Sequence, residues 1–158
     1  MTPRRATPDD AAGLTQLRLI MHQAVKPHCG LDWMPACEAA FARALAEQES
    51  MAVFVVDHPD GPGLIASAMG VWHPSLPGPT TTAMRSGEIG SVATDPDHRR
   101  RGHARACVAA ARDWLVDEGC ERVRLTPAPD ATALYAALGF APRDTYWTWR
   151  AAPVDTAP

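Results

Sequence analysis

Three consecutive arginines precede a glycine in the middle of this chain, and a helix is predicted to begin at that glycine. Arg99–Arg101 are followed by Gly102–Ala104, and Arg105 comes next. The first backbone N–H groups of a helix have no partner within it, and the helix dipole adds partial positive charge at the same end. Cations are unfavourable there unless an anion offsets them, and a glycine lets a ligand approach the backbone closely. The segment therefore predicts a phosphate site, and a solvated basic surface is the alternative interpretation.

A second motif lies further along the chain, where Tyr135–Phe140 reads Tyr-Ala-Ala-Leu-Gly-Phe. Together with Arg99-x-x-Gly102-x-Ala104 after a predicted strand, it resembles two motifs of the GNAT superfamily of acetyl-CoA-dependent N-acetyltransferases, namely Q/R-x-x-G-x-G/A and Y-x-x-L/G-F. The resemblance covers Arg4 to about Arg150. It implies an α+β GNAT fold, in which a mixed, mostly antiparallel sheet is flanked by helices and two neighbouring parallel strands splay apart to admit CoA.

The resemblance also implies which residues hold acetyl-CoA as co-substrate. Amides at the helix start would bind the pyrophosphate and the arginines would pair with phosphate groups. A bulge in the preceding strand would bind the pantetheine arm and polarise the thioester carbonyl. The implied residues are Val92, Ala93, Thr94, Arg99, Arg100, Arg101, Gly102, His103, Ala104 and Arg105. One departure from the family pattern is Ala128, where the family often carries an asparagine seven residues before the tyrosine.

Two side chains are candidates for proton transfer. By the resemblance, Tyr135 protonates the departing CoA thiolate, which is reasonable for a phenol of pKa about 10 and a thiol of pKa about 8.5 held close together. Its alternative is a core tyrosine on the inner face of a short helix. Glu88 could remove a proton from an amine, which reaches the site mostly as ammonium. Its alternative is a strand-end carboxylate in solvent or paired with an arginine.

Hydrophobic periodicity predicts the elements that must position these residues. Strands are expected at Arg4–Thr7, Met51–Asp57, Leu64–Trp72, Glu88–Thr94, Arg122–Thr126 and Thr145–Arg150. Helices are expected after a cap at Asp9 or Asp10, from Ala36 to about Gln48, from Gly102 to Gly119, and around Leu134 up to Gly139. An antiparallel meander followed by a β-α-β crossover indicates one α+β domain over residues 1–150, with a flexible tail over residues 151–158.

Composition excludes several other classes of protein. The 158 residues carry a net charge of −3 and 46% apolar residues, typical of a soluble globular domain without a general field for polyanions. The chain has no apolar run long enough to span a membrane and no signal-peptide core at its start, so we expect no membrane association. Four scattered cysteines indicate reduced thiols in the cytoplasm. Their spacing and that of the histidines match no zinc motif, so we expect no metal.

The acceptor is less well specified by the sequence. By the resemblance its pocket is built from loops around His28–Pro35 and His73–Gly87. The aromatic side chains there, Trp33 and Trp72 among them, favour a small-molecule amine. Exposed tryptophans, with Trp147 or Trp149 as candidates, leave a homodimer open. One alternative function is a GNAT-fold acyl-CoA-binding or regulatory protein without transferase activity. Nucleic-acid binding through the arginines is a distant third, because the net charge is negative and no helix-turn-helix pattern is present.

Overall fold

The structure, a computed structural model, describes residues 1–143, so the predicted strand Thr145–Arg150, its two tryptophans and the predicted tail lie outside the described residues. The described strands are β1 (Arg4–Arg5), β2 (Met51–Asp57), β3 (Leu64–Pro74), β4 (Arg85–Thr94) and β5 (Cys120–Leu125). The α-helices are α1 (Ala11–Val25), α2 (Met34–Glu47), α3 (His103–Asp117) and α4 (Thr132–Ala136). They form a five-stranded sheet in the order β1-β2-β3-β4-β5. Neighbours from β1 to β4 are antiparallel, and β4 and β5 are parallel.

Helices cover both faces of the sheet, each over its own apolar cluster. On one face α1 and α2 pack through Leu14 and Phe41 against Val53 and Val55 of β2, in what we call the α1/α2 cluster. On the other face α3 contributes the buried side chains of Cys107, Val108, Ala111 and Leu115 to what we call the α3 cluster. These side chains recur at helical spacing, so they form one apolar stripe along α3. Alternate residues of each strand therefore point to different helices.

A glycine lets α3 lie close to β4. A Cβ on Gly87 would come within 3.0 Å of the Leu115 side chain, closer than packed atoms normally approach. Glycine at this position therefore lets the helix pack close to the strand. Since the predicted phosphate site lies at the start of α3, this contact helps to fix its position relative to the strand before it.

The element boundaries differ from the predicted ones in informative ways. The predicted bounds of β2 are confirmed, whereas β4 begins at Arg85 because it pairs with the last residues of β3. Helix α2 begins at Met34, earlier than predicted, because a proline such as Pro35 is tolerated in the first helical turn. Asp10 holds the cap position of α1, as predicted, but its side chain makes no capping hydrogen bond there. Thr7 takes the cap position of a short 3₁₀ turn, and Asp10 accepts a hydrogen bond from the Thr7 N–H at 2.8 Å.

Candidate active site

The pairing of β4 with β5 ends part of the way along β4, where β5 itself ends, at a point that we call the separation of the two strands. Their pairing runs from Arg85 and Cys120 to Ile89 and Leu125, after which β4 continues to Thr94 without a partner in β5. Backbone groups on that side of β4 are consequently available to a ligand. We call this place, with the side chains around it, the transfer end of the site. It lies where the family resemblance implies that two parallel strands splay apart.

A β-bulge lies just beyond the separation. Ser67 pairs with Ala93 and Met69 pairs with Gly90, so three steps along β4 match two steps along β3. The extra residue is accommodated at Ser91, whose φ of 47° is in the left-handed region. The Ser67 hydroxyl donates a hydrogen bond of 3.3 Å to the Ser91 carbonyl oxygen. The sequence places Val92, Ala93 and Thr94 in this stretch of strand, but it does not locate the bulge at Ser91.

Helix α3 begins in the conformation that an anion site requires. Gly102 lies directly before the helix with φ of 83°, and the Ala106 N–H donates to its carbonyl oxygen at 3.0 Å. Arg100 also has a positive φ, of 63°. A Cβ on Gly102 would meet no protein atom within 4 Å, so its left-handed backbone is what calls for glycine here. We call residues 99–105 the phosphate end of the site.

The positive charge of the phosphate end has no carboxylate partner in the described part of the chain. All four arginines of this segment are exposed, and none of them forms an ion pair with a residue in the range 1–143. They are Arg99, Arg100, Arg101 and Arg105. The surrounding positive charge also affects His103. Burial lowers the pKa of its imidazole most, and the N-terminal ammonium, His98 and Arg101 lower it further. The phosphate end is therefore an uncompensated cluster of cations at the positive end of a helix.

Glu88 lies on the α1/α2 face of the sheet, before the separation of β4 and β5. Its cross-strand partner Val71 packs with the α1/α2 cluster. On its other side the Glu88 Oε2 atom accepts a hydrogen bond from Nε of Arg124 at 2.9 Å and forms an ion pair with Nη2 at 2.8 Å. Both side chains are exposed, at 45% for Glu88 and 74% for Arg124. The geometry shows the ion pair that was the alternative interpretation, while a role as base stays a prediction.

Tyr135 lies on the opposite side of the sheet. It is 8% exposed in the α3 cluster, which also contains Ile89 and is packed against by Val92. Its ring meets Phe140 edge-on with centroids 6.1 Å apart, so the two aromatic residues of the second motif are in contact. Burial, and then the charge of Asp130, raise the pKa of Tyr135 above its ordinary value. The phenol therefore stays protonated, as a proton donor must.

The structure adds one side chain that the sequence analysis missed. Arg18 of α1 reaches across to the bulge, where its Nη1 donates to the Ser91 hydroxyl. One turn later on the same helix, His22 meets the ring of Trp33 edge-on at 5.4 Å. Burial lowers the pKa of His22, and the charge of Arg18 lowers it further. The sequence does show that Arg18 and His22, four residues apart, share one helix face. It does not show which residues they contact, because Ser91 and Trp33 lie in other elements.

The predicted aromatic side chains of the acceptor pocket fall in different places. Trp33 lies on the α1 side against His22, whereas Trp72 packs against the α3 cluster and under the Arg85 guanidinium at 3.9 Å. Trp72 and Trp33 are therefore not two walls of one pocket.

Cysteine and metal chemistry find little support among residues 1–143. All four cysteines are free, and burial raises the pKa of the Cys107 thiol to about 12, which makes it a poor nucleophile. In the same range no three His, Cys, Asp or Glu side chains come together to hold a metal ion. None of the described helices combines the length and the apolar character needed to cross a bilayer.

Comparison with known families identifies the class of protein. The model of the acetyltransferase (GNAT) family matches residues 19–140, most of the chain. The chain therefore belongs to the acetyltransferase (GNAT) family, as its two motifs predict. No curated protein sequence matches the chain.

Solved structures with the same fold cover nearly the whole chain. A Clostridium acetobutylicum protein described as a predicted acetyltransferase with acetyl-CoA has a TM-score of 0.80 at 18% identity, over 94% of this chain and 95% of its own. An Agrobacterium tumefaciens protein provisionally described as an acetyltransferase has a TM-score of 0.75 at 27% identity, over 95% of this chain and 99% of its own. The glucosamine-6-phosphate N-acetyltransferase of Arabidopsis thaliana has a TM-score of 0.76 at 14% identity, over 96% and 98%. These likenesses establish the GNAT fold.

Proposed function

We propose that this protein transfers an acetyl group from acetyl-CoA to a primary amine of a small molecule, by direct attack in a ternary complex. The observation that carries the proposal is the separation of β4 from β5 beyond Ile89 and Leu125, with a bulge at Ser91 on its border. An acyl-CoA arm inserted there would find backbone N–H groups without strand partners. An N–H directed at the thioester oxygen stabilises the charge that develops during attack.

The phosphate end supplies the second part of the proposal. Four exposed guanidiniums without carboxylate partners in residues 1–143 surround the start of α3, where backbone N–H groups favour an anion. Pyrophosphate and the 3′-phosphate of CoA together carry enough negative charge to offset them. The Clostridium acetobutylicum neighbour was solved with acetyl-CoA, which supports the same donor here.

The two candidate catalytic residues suit a direct transfer because they lie on opposite faces of the sheet. Glu88, on the α1/α2 face, would take a proton from the ammonium of the acceptor, and the neutral nitrogen would attack the thioester carbon. As the new C–N bond forms, the C–S bond breaks and Tyr135, on the α3 face, would give its proton to the CoA thiolate. The nitrogen loses its second proton to solvent as the amide forms, and solvent returns a proton to Tyr135. A covalent intermediate on Cys107 is disfavoured by its burial and raised pKa.

The regulatory alternative shares the cofactor site and differs only in lacking turnover. It is not favoured, because the family match and the neighbouring structures are to acetyltransferases. We also propose a cytoplasmic location, which four free cysteines support because thiols persist in a reducing compartment.

Thermal melting with acetyl-CoA, CoA and 3′-dephospho-CoA tests the cofactor site. A ligand at 100 times its Kd adds about 2.7 kcal/mol to the free energy of unfolding, which gives a clear shift. We expect stabilisation by both CoA species, weakened by loss of the 3′-phosphate. The shift should shrink in an Arg99→Met/Arg101→Met variant and persist in an Arg43→Met control on the exposed surface of α2. No shift with any CoA species at millimolar concentration would contradict the proposal. Release of CoA thiol with a panel of primary amines then tests the transfer itself.

A further inference from the structure

Arg18 of α1 forms no ion pair within residues 1–143, although several arginines beside the sheet do. Arg4 pairs with Asp10 and Asp57, Arg85 with Glu118, and Arg124 with Glu88. Arg18 is half-buried, and its one hydrogen-bond partner within residues 1–143 is the neutral hydroxyl of Ser91. A guanidinium removed from water without an anion is unfavourable, so this arrangement calls for a negatively charged partner.

The position of Arg18 indicates where that anion would be bound. Ser91 forms the bulge beside the separation of β4 from β5, so the guanidinium is held at the transfer end and not at the phosphate end. It comes from α1, which covers the same face of the sheet as Glu88. By the proposed function, that face receives the acceptor amine.

We propose that Arg18 binds a carboxylate of the acceptor, so that the substrates of this enzyme are small amino acids. The inference rests on the proposed function and specifies its acceptor. The ammonium of such a substrate would be directed toward Glu88, while its carboxylate meets Arg18.

The chemistry of the guanidinium favours a carboxylate over a phosphate dianion. A guanidinium has five N–H donors in a rigid fork that matches the two oxygens of a carboxylate, and Nη1 alone is used by Ser91. A single arginine balances one negative charge, whereas a phosphate dianion would require a further cation. The nearest titratable neighbour on α1 is His22, whose pKa is lowered by burial and by Arg18 itself, so it supplies no second charge at neutral pH.

Matched acceptors test the proposal. CoA thiol release is measured with alanine, alaninamide and ethylamine, and again with phenylalanine, phenylalaninamide and phenethylamine, for the wild type and for Arg18→Met. Hydrogen bonds to charged groups predict a preference for the amino acid of about 10- to 100-fold in kcat/KM, lost in Arg18→Met. The loss should fall mainly on KM for the amino acid, and it is read from the acid-to-amide ratio, because loss of the contact with Ser91 would affect both substrates alike. Comparing the acid-to-amide ratio between variants cancels differences in the reactivity of the amines.

Two further variants and a binding measurement complete the test. Arg18→Lys keeps the charge without the fork and should retain part of the preference, whereas Arg43→Met should retain all of it. Thermal melting with CoA present should show stabilisation by alanine in the wild type and not in Arg18→Met, a readout that does not depend on turnover. Amines acetylated without preference for a carboxylate would overturn the assignment of Arg18 while leaving the transferase function intact. A preference of the wild type for succinyl-CoA over acetyl-CoA that is lost in Arg18→Met would also overturn it, because Arg18 would then bind a carboxylate of the acyl donor.

Discussion

The two ends of the candidate site are built in different ways. The phosphate end is one short segment, residues 99–105, in which the left-handed backbone of Gly102 and the start of α3 set the geometry. The transfer end is assembled from α1, β3, β4 and β5, with Arg18, Ser67, Ser91 and Arg124 each contributed by a different element. The first depends on backbone conformation over a few residues, and the second depends on tertiary packing.

This difference predicts a difference in function. Backbone groups at a helix start can bind a common ligand such as CoA in many proteins, whatever the acceptor is. Side chains gathered from separate elements can change independently, so the transfer end is where acceptor specificity and proton transfer should reside. Variants of the transfer end should therefore alter turnover and acceptor choice, while variants of the phosphate end should alter affinity for CoA.

The largest effect on turnover is expected from Tyr135→Phe. Removing the phenol hydroxyl leaves the thiolate to depart without a positioned acid, so kcat should fall about 100-fold. The ring remains in the α3 cluster, and the melting temperature and CoA affinity should stay close to those of the wild type. Phe140→Leu is the control, since it loosens the ring contact with Tyr135 but keeps the hydroxyl. If both variants lose turnover equally, Tyr135 acts only through packing.

Glu88→Gln should lower kcat/KM for amines by about 10- to 100-fold, because the amide cannot accept a proton from the ammonium. The loss should shrink as the pH rises toward the pKa of the amine, where the neutral nucleophile is already present. The matched variant is Arg124→Met, which breaks the same exposed ion pair but keeps the carboxylate; such a pair contributes less than about 1 kcal/mol to stability. Equal kinetics for the two variants would show that the ion pair alone matters.

Gly102→Val tests the phosphate end. A β-branched side chain at a φ of 83° strains the backbone by about 1–2 kcal/mol, and the helix start must shift to relieve it. We expect the affinity for CoA to fall about 10-fold, with a smaller change in kcat at saturating acetyl-CoA. Gly61→Val is the control, because Gly61 lies in an open turn and is not in the left-handed region. Unchanged CoA affinity in Gly102→Val would show that the backbone at residue 102 does not contribute to CoA binding.

The same contrast explains what could be predicted from sequence. The glycine, the arginines and the apolar stripe of α3 are adjacent or periodic in the chain, so the phosphate end and its helix follow from local rules. The strand Met51–Asp57 is likewise an uninterrupted run of strand-forming residues. Such features predict their own secondary structure, and the two family motifs predict the fold as a whole.

Features that depend on distant partners could not be predicted in the same way. The bulge at Ser91 exists only relative to the register of β3, and β4 starts at Arg85 only because β3 extends to Pro74. Arg18 and Ser91 are 73 residues apart in sequence, so nothing local to either residue indicates their contact. The cap of the first helix was predicted in position only, because the Asp10 carboxylate binds Arg4 and the Thr7 N–H and makes no capping hydrogen bond to the helix that follows.

That first turn provides the smallest predicted effect, in a region that belongs to neither end of the site. Both Asp10 oxygens accept hydrogen bonds of 2.8 Å from Arg4, and one also accepts from the Thr7 N–H at 2.8 Å. The hydrogen bonds from Arg4 lower the pKa of Asp10 most, against the opposing effect of burial. Because the folded pKa lies below the unfolded one, the stabilisation is fully present above about pH 5 and is lost as the pH falls through the folded pKa.

Asp10→Asn should therefore lower the free energy of unfolding by about 1 kcal/mol at pH 7, with the difference from the wild type shrinking below about pH 4. Denaturant unfolding at a series of pH values measures it. Asp9→Asn is the adjacent control, on an exposed side chain, and should change stability by less than about 0.5 kcal/mol. Affinity for CoA and kcat should be unchanged in both variants. A change in either would mean that the start of α1, and with it Arg18, is coupled to this turn, and the transfer end would then extend beyond the bulge.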